Sequence, residues 1–199
     1  MRAPGRGDAL LVVDVQNDFL PGGALGVRHG DEVIAPLNRM IARWRAAGLP
    51  LVFTRDWHPA DHCSFQAQGG PWPPHCVATT PGAQFASSLV VPSDAIVTSK
   101  GTDPGREAYS AFQGTGLADL LRRRGVRRVV IGGLATDYCI RATGVDARVE
   151  GFDYAVLADA VRAVDVNPGD GERALAELAA NGALITTTEA VLAAMEPAG

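Results

Sequence analysis

The chain has 199 residues, of which 47% are hydrophobic and 20% charged, a balance that is ordinary for a globular protein and excludes intrinsic disorder. Its 18 Lys and Arg against 22 Asp and Glu give a formal net charge of −4, so we expect no nucleic-acid partner and no anionic membrane partner. No apolar run approaches the roughly 20 residues of a membrane span, and no signal-type segment follows the N-terminus. We therefore expect a cytoplasmic protein with one domain over 1–199 and a core of about 9–195.

Short apolar runs alternate with helical patterns along the chain. Because most of these runs are continuously apolar, they predict strands that are covered on both faces. The predicted strands are Ala9–Val13, Pro50–Thr54, Ala95–Thr98, Arg128–Ile131, Tyr154–Leu157 and Ala183–Thr187. The predicted helices, each followed by a glycine, are Asp31–Ala47, Leu117–Arg124, Asp137–Glu150 and Gly171–Asn181. This alternation predicts a mainly parallel, doubly wound α/β sheet of about six strands in three layers, similar to the Rossmann fold.

Reactive side chains follow the first four predicted strands. Asp14 follows the first strand, Asp56 and His58 the second, Lys100 the third, and the loop leading to Cys139 the fourth. In open α/β sheets, ligands bind beyond the carboxyl ends of the strands. The sequence therefore predicts an acid, a pair of metal-type ligands, a base and a nucleophile at one edge of one sheet.

Cys139 is the candidate nucleophile, because it lies where a strand passes into a helix, with Thr136 or Asp137 as the expected N-cap. A helix N-terminus and the cation of Lys100 both favour a thiolate, so we expect a lowered thiol pKa. The alternative is a small buried core residue. Asp14 ends an apolar run, and a buried carboxylate needs a partner or a shifted pKa, unless it only caps a loop or a helix.

Asp56 and His58 are two residues apart, which puts both side chains on one side of an extended chain, and His75 lies in the same loop. One carboxylate and two imidazoles form a small open site suited to Zn, Fe or Mn, so we expect one divalent metal ion. His62 is a candidate fourth ligand.

Five short segments carry these residues: DVQNDF at 14–19, DWHP at 56–59, WPPHCV at 72–77, KG at 100–101 and GLATDYC at 133–139. In composition and in order they resemble the bacterial nicotinamidases, which belong to the isochorismatase-like cysteine hydrolase superfamily. The resemblance extends over nearly the whole chain, from about Ala9 to Met195.

The resemblance implies hydrolysis of nicotinamide to nicotinate and ammonia through a thioester. Cys139 would attack the carboxamide carbon, Asp14 would pass the thiol proton to the leaving ammonia, and Lys100 would stabilise the charged pair. The backbone N–H groups of Ala135 and Cys139 would form the oxyanion hole, with a cis peptide bond before Ala135. Tyr138, beside the nucleophile, departs from the family's pattern, and we expect it to reshape the pocket as a further substrate-binding residue.

The resemblance also implies a role for the metal ion and for two aromatic side chains. A metal ion held by Asp56, His58 and His75 would bind the pyridine nitrogen and orient the ring. Phe19 and Trp72 would flank that ring.

Other functions remain open alternatives. One is a cysteine amidohydrolase of the same superfamily that acts on a different carboxamide or on a carbamoyl compound. The others are a non-haem iron oxygenase and a non-catalytic metal-binding module in which Cys139 is a core residue. Separately, Cys63 and Cys76, which flank His62 and His75, could form a structural zinc site. The sequence is compatible with a homo-oligomer.

Overall fold

The computed structural model describes residues 2–195, in which six parallel strands form one sheet with helices on both faces. The strands are β1 (Asp8–Val13), β2 (Leu51–Asp56), β3 (Ile96–Lys100), β4 (Arg128–Leu134), β5 (Asp153–Arg162) and β6 (Leu184–Thr186). The helices are α1 (Ile34–Ala46), α2 (Leu117–Arg123), α3 (Arg141–Val149), α4 (Asp170–Ala180) and α5 (Thr188–Ala194). The strand order β3-β2-β1-β4-β5-β6 confirms the predicted doubly wound α/β fold.

Each face of the sheet packs against its own set of helices. Trp44 of α1 and Val191 of α5 belong to the core on one face. Leu121 of α2, Ala147 of α3 and Leu178 of α4 belong to the core on the other face. β1 and β4 are buried along their whole length, which explains their continuous apolar runs. Within residues 2–195, every helix is too short or too polar to span a lipid bilayer.

The strands and helices differ from their predicted bounds by one to three residues in most cases, and by more in the following elements. The first helix begins as a 3-10 turn, Gly30–Val33, before α1, whose first turn contains Pro36, where the missing N–H of proline costs least. β5 continues five residues beyond Leu157, the last residue predicted for this strand. Helix α5 was not predicted, although the Thr187 hydroxyl caps it by accepting the Ala190 N–H at 3.2 Å.

The third predicted helix begins differently from expectation. A π-helical turn, Thr136–Ile140, precedes α3, and Ala135 occupies the N-cap position in an extended conformation. The predicted cap at Thr136 or Asp137 is therefore wrong. The Asp137 carboxylate instead accepts the backbone N–H groups of Val164 and Asp165, both at 2.9 Å. Asp137 thus ties the start of this helix to the loop after β5.

The strand order changes direction between β1 and β4, which is where open α/β sheets generally have the crevice that binds their ligands. Gly133 allows the two strands to approach closely, because a Cβ there would overlap the Val13 carbonyl. Gly133 also adopts a φ of 127°, which is unfavourable for other residues.

A buried ion pair joins β1 and β4 at their opposite, N-terminal ends. Asp8 is fully buried and accepts hydrogen bonds from Arg128 Nε at 2.6 Å and from the Gly5 N–H at 2.7 Å. Arg2 adds a second guanidinium at 2.9 Å. A buried charge that loses its partner is strongly destabilising.

Asp8→Asn should lower the free energy of unfolding by about 3 kcal/mol, because it leaves the Arg128 charge uncompensated. Urea unfolding measures this loss. The matched control is Asp119→Asn, which removes an exposed partner of Arg122 and should change stability by less than about 1 kcal/mol. Equal effects of the two variants would contradict a structural role for the buried pair.

Candidate active site

The strand ends bring the four predicted reactive positions together. Asp14 directly follows β1, Asp56 ends β2, Lys100 ends β3, and Cys139 lies in the π-helical turn after β4. The strand register places Asp56 opposite Lys100. All four side chains are buried, so they form one cluster beneath the carboxyl edge of the sheet.

The Lys100 ammonium is the centre of this cluster. Its Nζ forms ion pairs with Asp14 Oδ2 at 2.9 Å and with Asp56 Oδ1, and it donates to the Ala108 carbonyl at 3.2 Å. Nζ also lies 3.5 Å from Cys139 Sγ. Burial alone would lower the pKa of Lys100, but the charges of Asp14 and Asp56 raise it well above its ordinary value. Lys100 is therefore a permanent cation.

The Asp14 carboxylate is held by two neighbouring strands. The Thr54 hydroxyl of β2 donates to Asp14 Oδ1 at 2.6 Å, while Oδ2 faces Lys100. Burial raises the pKa of Asp14 above its ordinary value, although Lys100 opposes this. Asp14 thus has more affinity for a proton than an exposed aspartate, which suits a proton acceptor and donor. Thr54 was not predicted, although it is a polar residue at the end of a buried strand.

The surroundings of Cys139 favour the thiol over the thiolate, which is opposite to the expected lowering of its pKa. Burial raises the pKa of Cys139 well above its ordinary value, against the opposing charge of Lys100. The lysine does not offset this, because Asp14 and Asp56 share its charge and themselves raise the pKa of the thiol. The donor atoms of Asp14, Asp56 and Cys139 lie within 4.8 Å of one another, so the thiol has a carboxylate base beside it.

Asp56, His58 and His75 form a second group, whose donor atoms also lie within 4.8 Å of one another. The Nδ1 atoms of the two histidines face backbone carbonyls, that of Gly101 at 2.9 Å and that of Pro73 at 2.8 Å. These contacts leave Nε2 of each ring for a ligand, the arrangement typical of metal-binding histidines. A Cβ at Gly101 would overlap the His58 ring. The three residues therefore fit a divalent metal ion.

His62 lies beside this group but outside it. Its Nδ1 contacts the Ser64 hydroxyl at 2.7 Å and its Nε2 contacts the Arg106 carbonyl at 3.1 Å. Its ring packs against His58 with centroids 4.1 Å apart. Because both ring nitrogens have partners, the structure makes His62 a neighbour of His58 and gives no support for a fourth ligand.

A structural zinc site at the other two cysteines also finds no support. Neither Cys63 nor Cys76 belongs to a group of three or more ligand atoms within metal-binding distance in residues 2–195. Burial raises the pKa of the Cys76 thiol far above its ordinary value, which disfavours the thiolate that zinc binds.

A small pocket opens onto Cys139 and His75. Its wall includes all four predicted substrate-binding residues: Phe19, Trp72, Ala135 and Tyr138. The Phe19 ring packs against His75 with centroids 5.6 Å apart, and the Trp72 ring packs edge-on against Tyr138 at 5.2 Å. The Leu134–Ala135 peptide bond is cis, as the resemblance implies.

Tyr109 also lines the pocket, although it was not among the four predicted substrate-binding residues. Its hydroxyl accepts the Trp72 indole N–H at 2.9 Å, and burial raises the pKa of Tyr109 to about 12. The presence of Tyr109 among the scarce aromatic residues of the loops was the only available signal. Three aliphatic residues complete the wall: Leu25, Val27 and Val164.

The fold and the site together define a class. It is a doubly wound α/β protein in which a buried cluster of Cys, Asp and Lys lies beside a metal-type donor group, formed by Asp56, His58 and His75. The sequence matches the isochorismatase domain over residues 8–190, so the chain belongs to the isochorismatase family. This confirms the predicted family.

Relatives and solved structures agree with this membership. The chain is 38% identical over 200 residues to the nicotinamidase of Escherichia coli (strain K12), covering 90% of this chain and 94% of that one. The pyrazinamidase of Pyrococcus horikoshii in complex with zinc is 50% identical, with a TM-score of 0.87 and coverage of 91% and 99%. PnC1 from L. infantum in complex with nicotinate is 37% identical, with a TM-score of 0.88 and coverage of 96% and 97%.

The raised pKa of Cys139 makes a prediction for the titration of this thiol. At any given pH the thiolate fraction is smaller than for an ordinary thiol, so Cys139 should add no thiolate absorbance between about pH 6 and 8.5. The measurement is the ultraviolet difference between wild type and Cys139→Ala across this range. Cys63→Ala serves as the control for a partly exposed thiol. A Cys139-dependent step near neutral pH would contradict the protonated resting state.

Proposed function

We propose that this protein is a nicotinamidase, which hydrolyses nicotinamide to nicotinate and ammonia. The observation that carries the proposal is the contact of Lys100 with Asp14 and with Cys139, whose side chain lines an aromatic-walled pocket. Relatives that are nicotinamidases, and a neighbour that binds nicotinate, support the same substrate.

The reaction follows from which groups of the buried cluster can give up and take up a proton. Cys139 Sγ attacks the carboxamide carbon while its proton passes to Asp14, and Asp14 then protonates the leaving amine. The C–N bond breaks, ammonia leaves, and a thioester joins the acyl group to Sγ. Water, giving up a proton to Asp14, then hydrolyses the thioester and restores the thiol. Lys100 stays charged throughout and balances the carboxylate in both half-reactions.

The oxygen of the tetrahedral intermediate needs hydrogen-bond donors. The backbone N–H groups of Ala135 and Cys139 are assigned this role, because both residues line the pocket at the start of the helix. Donors in a fixed backbone need no reorganisation when the negative charge develops.

Asp56, His58 and His75 would hold the divalent metal ion. When bound, the ion supplies a Lewis acid for the pyridine nitrogen; among Zn, Fe and Mn, the zinc complex of the Pyrococcus horikoshii relative supports zinc. With the ion bound, the three side chains would orient the ring, and Phe19 and Trp72 would flank it. A cytoplasmic location and a homo-oligomer stay predictions, the former in keeping with the three free cysteines.

Other members of the family are the main competitors for the substrate, since they could share the cluster and differ in the pocket. The metal-type donor group beside the pocket favours a ring with a nitrogen donor over a carbamoyl compound. An oxygenase and a non-catalytic module both leave the Asp14–Lys100–Cys139 contacts without a role.

Purified protein should release ammonia from nicotinamide, and Cys139→Ala should lower kcat by more than about 10⁴-fold, because no other group supplies the nucleophile. The matched control is Cys63→Ala, which removes a thiol outside the pocket and should keep wild-type turnover. Urea unfolding of both variants separates loss of chemistry from loss of folding. Retained turnover in Cys139→Ala would contradict the mechanism, and a folded wild type without ammonia release would contradict the substrate.

His75→Ala should raise KM for nicotinamide by about 10–100-fold and change kcat much less, because this residue orients the ring and takes no part in proton transfer. Chelation of the wild type should have the same effect and be reversed by added Zn, Fe or Mn. Steady-state kinetics with and without chelator provide the measurement. An unchanged KM in metal-free protein would contradict the orienting role.

A further inference from the structure

We infer that Asp18 is a positioning residue. Its carboxylate holds the backbone beside His75 and thereby keeps this histidine in place next to Asp56 and His58, the other two members of the donor group. The inference rests on the proposed metal-binding role of His75. It does not depend on which substrate the enzyme hydrolyses.

The carboxylate of Asp18 reaches across to the segment that carries His75. Asp18 Oδ2 accepts the Cys76 N–H at 2.7 Å, a charge-assisted hydrogen bond between positions 58 residues apart in the chain. Cys76 has a φ of 45°, a left-handed conformation that is uncommon for a residue other than glycine. A backbone in this conformation persists only where its surroundings hold it.

The same peptide segment is also held from the other side. The Cys76 carbonyl accepts the backbone N–H of His58 at 3.0 Å. Cys76 therefore connects Asp18 to both histidines of the donor group, His75 through the chain and His58 through this hydrogen bond. Without the Asp18 hydrogen bond, the peptide segment at Cys76 loses one of these two contacts.

Asp18 is itself fixed in place. It lies in the 3-10 turn Asn17–Phe19, where the Asn17 N–H donates to the Gln84 carbonyl at 2.9 Å and its side chain donates to the Pro81 carbonyl at 2.8 Å. Gly82 lies against the Asp18 carboxylate, and a Cβ there would overlap it. Glycine at position 82 is thus required for space.

The turn also presents Phe19, whose ring packs against His75. One short segment therefore supplies a wall of the pocket and holds the backbone of a metal ligand. The reactive cluster at Cys139 depends on different contacts, those of Lys100. Loss of the Asp18 carboxylate should accordingly weaken metal binding before it affects the nucleophile.

Zinc affinity tests the inference directly. Full-length protein is stripped with a chelator and titrated with zinc against a chromophoric competitor, without any substrate. Asp18→Ala should weaken the zinc Kd by about 10–100-fold. Asp18→Asn keeps an acceptor oxygen for the Cys76 N–H and should therefore retain part of the wild-type affinity. Gly82→Ala should reproduce the weakening, because its methyl group displaces the carboxylate.

Two matched controls separate this effect from surface changes. Asp103→Ala removes another carboxylate that accepts a backbone N–H, that of Gly105 at 2.9 Å in an exposed turn. Gly105→Ala adds a methyl group with only a distant neighbour, at 3.7 Å. Both should keep the wild-type Kd. Urea midpoints for every variant identify any loss of folding.

A double mutant identifies the route of action. If Asp18 acts through His75, Asp18→Ala should weaken zinc binding no further in the His75→Ala background. Additive losses, or wild-type zinc affinity in a folded Asp18→Ala protein, would overturn the inference. Absence of zinc binding by the wild type would overturn it together with the proposed metal site. Zinc binding without ammonia release would instead contradict only the proposed substrate.

Discussion

The buried ammonium of Lys100 is the interaction on which the rest of the site depends. It compensates two carboxylates, Asp14 and Asp56, that come from different strand ends and face different tasks. Asp14 lies beside the Cys139 thiol, whereas Asp56 belongs to the metal-type group. Because the charge of Lys100 stabilises both carboxylates, a change in this cation affects the proton transfer at Asp14 and the metal site at Asp56 together. Without the cation, Asp14 would be buried with only the Thr54 hydroxyl as a partner and Asp56 would face only His58, at 3.6 Å, which would leave two poorly compensated buried carboxylates.

Strand order and register bring these charged side chains together. Parallel strands end at the same edge, so the last residue of β2 and the last residue of β3 lie opposite each other as Asp56 and Lys100. A shift of one residue in either strand would turn one of these side chains to the other face of the sheet. Gly133 and Gly101 add close approaches that larger residues would block, one beside β1 and one beside His58. The reactive geometry is therefore a consequence of backbone packing.

Much of this site could be predicted from the sequence, because Asp14, Lys100 and Cys139 each follow an apolar run and parallel strands end together. The protonation state of Cys139 could not, since it depends on how Lys100 divides its charge among buried neighbours. The partners of His62 come from tertiary contacts that no local pattern reveals. The same holds for the π-helical turn that replaces the expected cap. The sequence therefore predicts the site residues that lie at strand ends, whereas the geometry of the loops is known only from the structure.

Urea unfolding of metal-free Lys100→Met against wild type, followed from neutral to acidic pH, tests the central role of Lys100 most directly. Methionine keeps the length of the side chain and removes its charge, so near pH 7 the variant should be less stable by about 3–5 kcal/mol. Without Lys100, Asp14 loses the charge that opposes the effect of burial on its pKa, and Asp56 loses the charge that most lowers its pKa. Both carboxylates then take up protons more readily as the pH falls, so the deficit should shrink toward about pH 5. A deficit of constant size across this range, or none at neutral pH, would contradict the account.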